Sequence, residues 1–257
     1  MVWATVRTIR RLPDPEAVSR AAAQDFVELA RAAIDERGRF CVALSGGSTP
    51  RRMYELLAEG PRWAQLDWRR VEFFWGDERA VPPEHPESNY GTAGAVLLGK
   101  LGIAPERVHR IAGELADPAE AAARYQDELA RVFATPTDAP PPIFDLILLG
   151  MGSDGHTASL FPYGQALTER TRWVVGYTVA RLGKPRITLT PPILNRAAEV
   201  RLLVTGADKA GVLRDALEGA RDPERLPVQL VVPEAGRLVW LVDRAAAASL
   251  SSERPAS

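Results

Sequence analysis

Short, nearly continuous apolar runs recur along the chain at 40–44, 71–75, 146–149, 200–205 and 238–242. Each has the length, and the lack of alternation, expected of a parallel strand covered on both faces. Residues 3–9 alternate apolar and polar instead and read as an edge strand. Between the runs, apolar side chains return every three or four positions. That spacing predicts helices at 15–36, through Met53, Leu56 and Leu57, at 96–98, at 118–133, at 208–217 and over the closing alanines. Asp14 and Pro15 open the first helix and Gly38 closes it. Further strands are expected at 107–111, 173–179 and 184–190, a short helix starts at Pro191, and 228–231 is a short apolar segment. The proline-rich stretch 135–142 reads as an extended surface connection and 251–257 as a frayed tail. Because strands and helices alternate, the expected fold is α/β: a Rossmann-like, open, mainly parallel sheet with helices on both faces and a small α/β subregion. No low-complexity linker divides the chain, so one domain is expected over 1–250.

Three of the strands empty into polar loops, and if those strands are parallel the loops meet on one rim. The first loop is Ser45-Gly46-Gly47-Ser48-Thr49-Pro50. With Thr49 as N-cap and Pro50 as first helical residue, free N–H groups and the helix dipole converge on a spot that favours an anion, with phosphate the best fit. The loop matches neither nucleotide-binding glycine signature, nor the nucleophile elbow of serine hydrolases. A tight glycine turn without a ligand is the alternative reading. The second loop, 76–82, holds Asp77, Glu78 and Arg79; Arg79 suits bidentate phosphate binding, with Asp77 or Glu78 turned toward sugar hydroxyls. His85, Ser88 and Asn89 follow, Ser88 reading also as a helix cap and His85 as a solvated loop residue. The third loop leaves the strand at 146–149 through Gly150, Gly152 and Gly155 and carries Asp154 and His156. A histidine there exchanges a proton near neutral pH, and 157–160 reads as a helix start whose dipole would keep the imidazole neutral, fit for a general base. Equally, Asp154 can cap the turn and His156 be a structural side chain. Lys184 and Arg186, taken alone, read as a solvated strand edge.

Composition narrows the chemistry. The chain has 257 residues, 46% hydrophobic and 25% charged, with a formal net charge of −1, so a polyanion-binding surface and nucleic acid as partner are not expected. No run approaches membrane-spanning length and 1–10 lacks a signal-peptide segment, so a cytoplasmic protein without a membrane partner is expected. Cys41 is the one cysteine, placed in an apolar strand as a core residue; there is no Cys/His cluster, hence no expected metal and no cofactor. The rim then points to metal-free acid–base chemistry on a phosphorylated small molecule.

These motifs resemble those of the bacterial-type 6-phosphogluconolactonase family. The resemblance lies in 45–50, in Trp-Gly-Asp-Glu-Arg and Val-Pro within 75–82, in His85 with Ser88 and Asn89, in Leu-Gly-Met-Gly-Ser-Asp-Gly-His-Thr-Ala-Ser-Leu-Phe-Pro at 149–162, and in Lys-Pro-Arg-Ile-Thr-Leu-Thr at 184–190. It implies the sugar-phosphate isomerase-like fold shared with glucosamine-6-phosphate deaminases, and hydrolysis of 6-phospho-glucono-1,5-lactone in the pentose phosphate pathway. In that implied site His156 and Asp154 are catalytic, Asp154 orienting either His156 or a sugar hydroxyl. Ser45, Gly46, Gly47, Ser48, Thr49, Asp77, Arg79, Asn89, Lys184 and Arg186 bind substrate and phosphate, with the division between Lys184 and Arg186 open. The partner is a phosphorylated sugar lactone, and the enzyme a monomer or small homo-oligomer. The related deaminases carry a glutamate five residues after the histidine; here that position is Phe161, which cannot relay a proton. A sugar-phosphate sensor that binds without turnover is the non-enzymatic reading.

Overall fold

The computed structural model describes residues 6–60 and 66–251. The apolar runs form a six-stranded, all-parallel sheet in the order β1-β9-β8-β5-β2-β3. Its strands are β1 (Val6–Leu12), β2 (Phe40–Leu44), β3 (Val71–Trp75), β5 (Leu146–Gly150), β8 (Glu199–Val204) and β9 (Arg237–Asp243). All residues of β2, β3 and β8 are buried, which is what unbroken apolar runs require when helices cover both faces. In β5, Leu146, Ile147, Leu148 and Leu149 are wholly inaccessible, and each such side chain stabilises the fold by about 1.5–3 kcal/mol. The flanking helices are α1 (Pro15–Arg37), α2 (Ser48–Glu59), α3 (Asn89–Ala93), α4 (Gly99–Leu101), α5 (Pro118–Phe133), α6 (Pro191–Leu194) and α7 (Ala210–Glu218). Asp14 caps α1 by accepting from Ala17 N at 2.8 Å, and Gly38 ends it in the left-handed conformation.

The subregion is a separate antiparallel sheet, β4-β7-β6, built from β4 (Asp77–Arg79), β6 (Val174–Val179) and β7 (Lys184–Leu189) and packed on α5. Residues 77–79 are therefore strand rather than loop: Gly76 donates to Leu44 O of the large sheet at 2.8 Å and accepts from Leu189 N of the small one at 2.8 Å, so the chain passes between sheets in one residue.

Other expectations need correction. The edge strand runs to Leu12, and 3–5 lie outside the described residues. At 107–111 there is only a 3-10 turn (Pro105–Arg107) and a single bridge from Val108 to Phe73, because buried His109 turns aside to lie between Glu72 (3.0 Å) and Glu128 (2.7 Å). The helix expected at 96–98 starts earlier, at Asn89, where Ser88 Oγ accepts from Gly91 N, and passes through a π turn at Gly94–Leu98. The segment at 228–231 and the closing alanines form 3-10 turns, Pro227–Leu230 and Ala246–Ser249. Ser251 is held by Glu218 rather than frayed, while 252–257 lie outside the described residues. Cys41 is buried, and burial pushes its thiol up to about 12, consistent with a packing role. Among the described residues no helix is long and apolar enough to cross a membrane.

Candidate active site

Because β2, β5 and β8 run parallel and lie side by side, their C-terminal loops open on one cleft of about 270 Å³. Ser45, Gly46, Gly47, Ser48, Thr49, Asp77, Arg79, Asn89 and His156 all line it; Asp154, Lys184 and Arg186 do not.

The first wall is the start of α2. The helix begins at Ser48, one residue before the expected cap, because Gly47 adopts φ +110, a conformation that lets the chain turn sooner and that a side chain would oppose. Thr49 is accordingly inside the first turn, its hydroxyl paired with that of Thr205 at 2.8 Å instead of capping. The N–H groups of Ser48 and Thr49 belong to a first turn, where no intrahelical acceptor exists, and Pro50 has none to satisfy. Dipole and donors thus favour an anion at this point. Tyr54 fixes the loop by bonding both Ser45 N (3.0 Å) and Ser45 O (2.8 Å), while Ser45 Oγ is buried without a partner among the described residues.

The second wall comes from β4. Asp77 faces the cleft, accepting from Ser159 Oγ (2.6 Å) and Asn89 Nδ2 (3.2 Å). Glu78 points away and is structural: it accepts from the N–H groups of Arg79, Asn89 and Tyr90 and from Ser88 Oγ, and burial raises its carboxyl above the usual range despite those bonds. Arg79 stands opposite Arg186 in the β4–β7 ladder. Arg79 donates to Glu87 O and Arg186 to Pro185 O; among the described residues neither is ion-paired. Burial, then the neighbouring Arg79 charge, lowers Arg186 below its ordinary value. Arg79 thus brings to this wall a cation without a bonded carboxylate, with a second, Arg186, beside it on β7. Lys184, by contrast, leaves the cleft and bonds Glu87 at 3.1 Å, and His85 is exposed in its loop.

The third wall is the tight turn after β5. Gly152 N donates to His156 O at 2.8 Å and Gly155, at φ +82, donates to Gly152 O at 3.0 Å, which folds His156 back over Asp154. His156 Nδ1 lies 2.5 Å from Asp154 Oδ1, and Arg181 binds Oδ2. Burial opposes ionisation of Asp154, but the bond and charge of His156, followed by Arg181, outweigh it and bring the carboxyl down to about 2. In the neutral imidazole a carboxylate on Nδ1 selects the tautomer with the proton there and the lone pair on Nε2. The expected helix at 157–160 is absent: Ala158 takes φ +47 and Thr157 bridges Leu160, so no helix dipole acts on the imidazole, and its partner is the Asp154 carboxylate instead. The small sheet anchors this segment, with Tyr177 OH donating to Ser159 O (2.5 Å) and Ser159 N to Thr188 Oγ1 (3.2 Å). The Phe161 ring stacks on His156 with centroids 4.4 Å apart.

Sequence reading passed over Thr205, Lys209 and Met151, which also line the cleft, and Arg181 behind it. For Thr205 and Lys209 a signal was present: an apolar strand, Gly206 and a helix start, the same arrangement that marked 45–50. Among the described residues no three His, Cys, Asp or Glu side chains converge to hold a metal ion.

The family model for glucosamine-6-phosphate isomerases/6-phosphogluconolactonase matches residues 13–240. A 6-phosphogluconolactonase of Nostoc is 40% identical over 248 residues, covering 95% of this chain and 99% of the relative. The solved 6-phosphogluconolactonase of Trypanosoma brucei superposes with a TM-score of 0.83 at 30% identity, over 96% of this chain and 100% of that one. A monomeric glucosamine-6-phosphate deaminase, 22% identical with a TM-score of 0.76, covering 94% of this chain and 99% of that one, shares the fold alone.

Proposed function

This chain belongs to the glucosamine-6-phosphate isomerase/6-phosphogluconolactonase family and is a lactone hydrolase of the pentose phosphate pathway, and within that activity we propose that His156 is the general base. One observation carries the reading: a single cleft holds both an anion cradle and a histidine whose Nδ1 is already committed to Asp154. Nε2 removes a proton from water as its oxygen attacks the lactone carbonyl. The carbonyl-to-ring-oxygen bond then breaks, and the imidazolium returns the proton to the departing ring oxygen. Backbone N–H groups of the glycine loops meet the developing oxyanion, a contribution of about 3–4 kcal/mol per well-aimed donor. The phosphate, remote from the reacting carbon, is assigned to the first turn of α2 with Arg79 and Lys209, and Arg186 adds its charge from behind Arg79. Asp77, with both oxygens engaged, and Asn89 face sugar hydroxyls.

The test is the disappearance of 6-phospho-glucono-1,5-lactone generated in situ, with the spontaneous rate subtracted. Acceleration by the protein supports the reading; no acceleration, with ammonia released from glucosamine 6-phosphate or with sugar-phosphate binding alone, replaces it. The phosphate assignment makes its own prediction. Arg79→Ala and Lys209→Ala should each raise KM by ~10-fold or more with kcat little changed, since phosphate is held equally in ground and transition states. Lys184→Ala, outside the cleft, should leave KM within about twofold. Steady-state kinetics of the three variants decides, and an unchanged KM in Arg79→Ala removes that residue from the site.

A further inference from the structure

We propose that Arg181 is a positioning residue of the hydrolysis: from the β6–β7 hairpin it holds Asp154, and through Asp154 it sets the orientation and proton affinity of His156. The proposal rests on the reading that His156 is the base. Arg181 does not line the cleft, so its influence must pass through a neighbour. Two neighbours are available, and His156 touches both. Asp154 divides its oxygens, Oδ1 to His156 Nδ1 and Oδ2 to the Arg181 guanidinium. The same guanidinium lies 5.4 Å from the centre of the Phe161 ring, on which the His156 ring stacks at 4.4 Å and 26°. His156, Asp154, Arg181 and Phe161 therefore close a ring of contacts. A carboxylate tethered through one oxygen can rotate; tethered through both, it fixes the plane of the imidazole that it holds.

The charges act as well. Alone, the Asp154 carboxylate would favour the imidazolium and so hold His156 in the form that cannot accept a proton. Arg181 on the opposite oxygen offsets part of that field. From the other side, His156 shares the cleft with Asp77 and Arg79 of β4 and with Lys209 ahead of α7, none of which bonds Asp154. Asp154 itself remains ionised throughout the working range, since its carboxyl lies at about 2. The Arg181 side chain is 51% exposed, so water screens it, and the expected shift is about half a pH unit rather than several.

The experiment compares the pH dependence of kcat/KM in wild type, Arg181→Gln and Arg181→Lys, together with a nitrogen-15 NMR titration of the His156 ring in each. In Arg181→Gln the acid limb and the NMR midpoint should both move up by about half a unit. The plateau kcat should fall by ~3–10-fold with KM nearly constant. Arg181→Lys should restore the midpoint, because it keeps the charge, but not the full plateau, because an ammonium lacks the planar guanidinium that spans Asp154 and Phe161. A lowered plateau with an unmoved NMR midpoint overturns the proposal and leaves Arg181 a structural residue. A midpoint that moves while the acid limb stays in place overturns the base assignment beneath it.

Discussion

His156→Ala should lower kcat by ~10²–10⁴ and abolish the acid limb of the kcat/KM profile. That loss corresponds to about 3–5.5 kcal/mol of transition-state stabilisation. The size follows from the absence of a good substitute: the other proton acceptor lining the cleft is Asp77, whose oxygens already accept from Ser159 and Asn89. Residual catalysis should survive, because the donors of the glycine loops and the phosphate cradle do not depend on the imidazole. The His156 side chain is 31% exposed, so truncation creates no buried cavity, and thermal unfolding should remain close to wild type. Initial rates over a pH series, corrected for spontaneous hydrolysis, provide the check; full activity in the variant would falsify the base assignment without touching the fold.

Gly152→Ala is expected to cost nearly as much, although it removes no functional group. A Cβ at this position would stand 2.1 Å from His156 Nδ1 and 2.5 Å from Asp154 Oδ1, far inside contact distance. Gly152 is not needed for a left-handed backbone; it is needed because the imidazole and its carboxylate fold back against its Cα. One side or the other must swing away, and a displacement of ~1 Å in the base costs about 10²-fold in rate. The predicted signature is a kcat loss of that order, a KM nearly unchanged, and loss of the Nδ1 proton resonance shared with Asp154. Wild-type kcat in this variant would mean that the turn relaxes without disturbing the pair, and that its geometry is not what catalysis requires.

The strands of the large sheet and the long helices were legible because burial on both faces, or on one helical stripe, leaves a direct trace in residue order. Where the order misled, a single local conformation or a tertiary partner had intervened. Gly47 at φ +110 starts α2 two residues early, and Ala158 at φ +47 with the Thr157–Leu160 bridge replaces an expected helix. Residues 77–79 are too short and too polar to announce a strand; pairing with β7 makes them one. At 107–111 the apolar pattern favoured a strand, but His109 is drawn between two glutamates.

The site divides in the same way. From the sequence alone follow the α/β class, the glycine loop before a helix, and the placing of Asp154 and His156 together in a loop past a buried strand. These depend on residue types at short separations, which local chemistry governs. Only the tertiary structure decides that Asp77 faces the cleft while Glu78 is turned inward, that Lys184 is drawn off by Glu87, and that Thr205 and Lys209 enter from the turn after β8. It alone brings Arg181 onto Asp154, 27 residues away along the chain. Those choices depend on strand order and on which sheet a three-residue segment joins, and both are settled by pairing between distant parts of the chain.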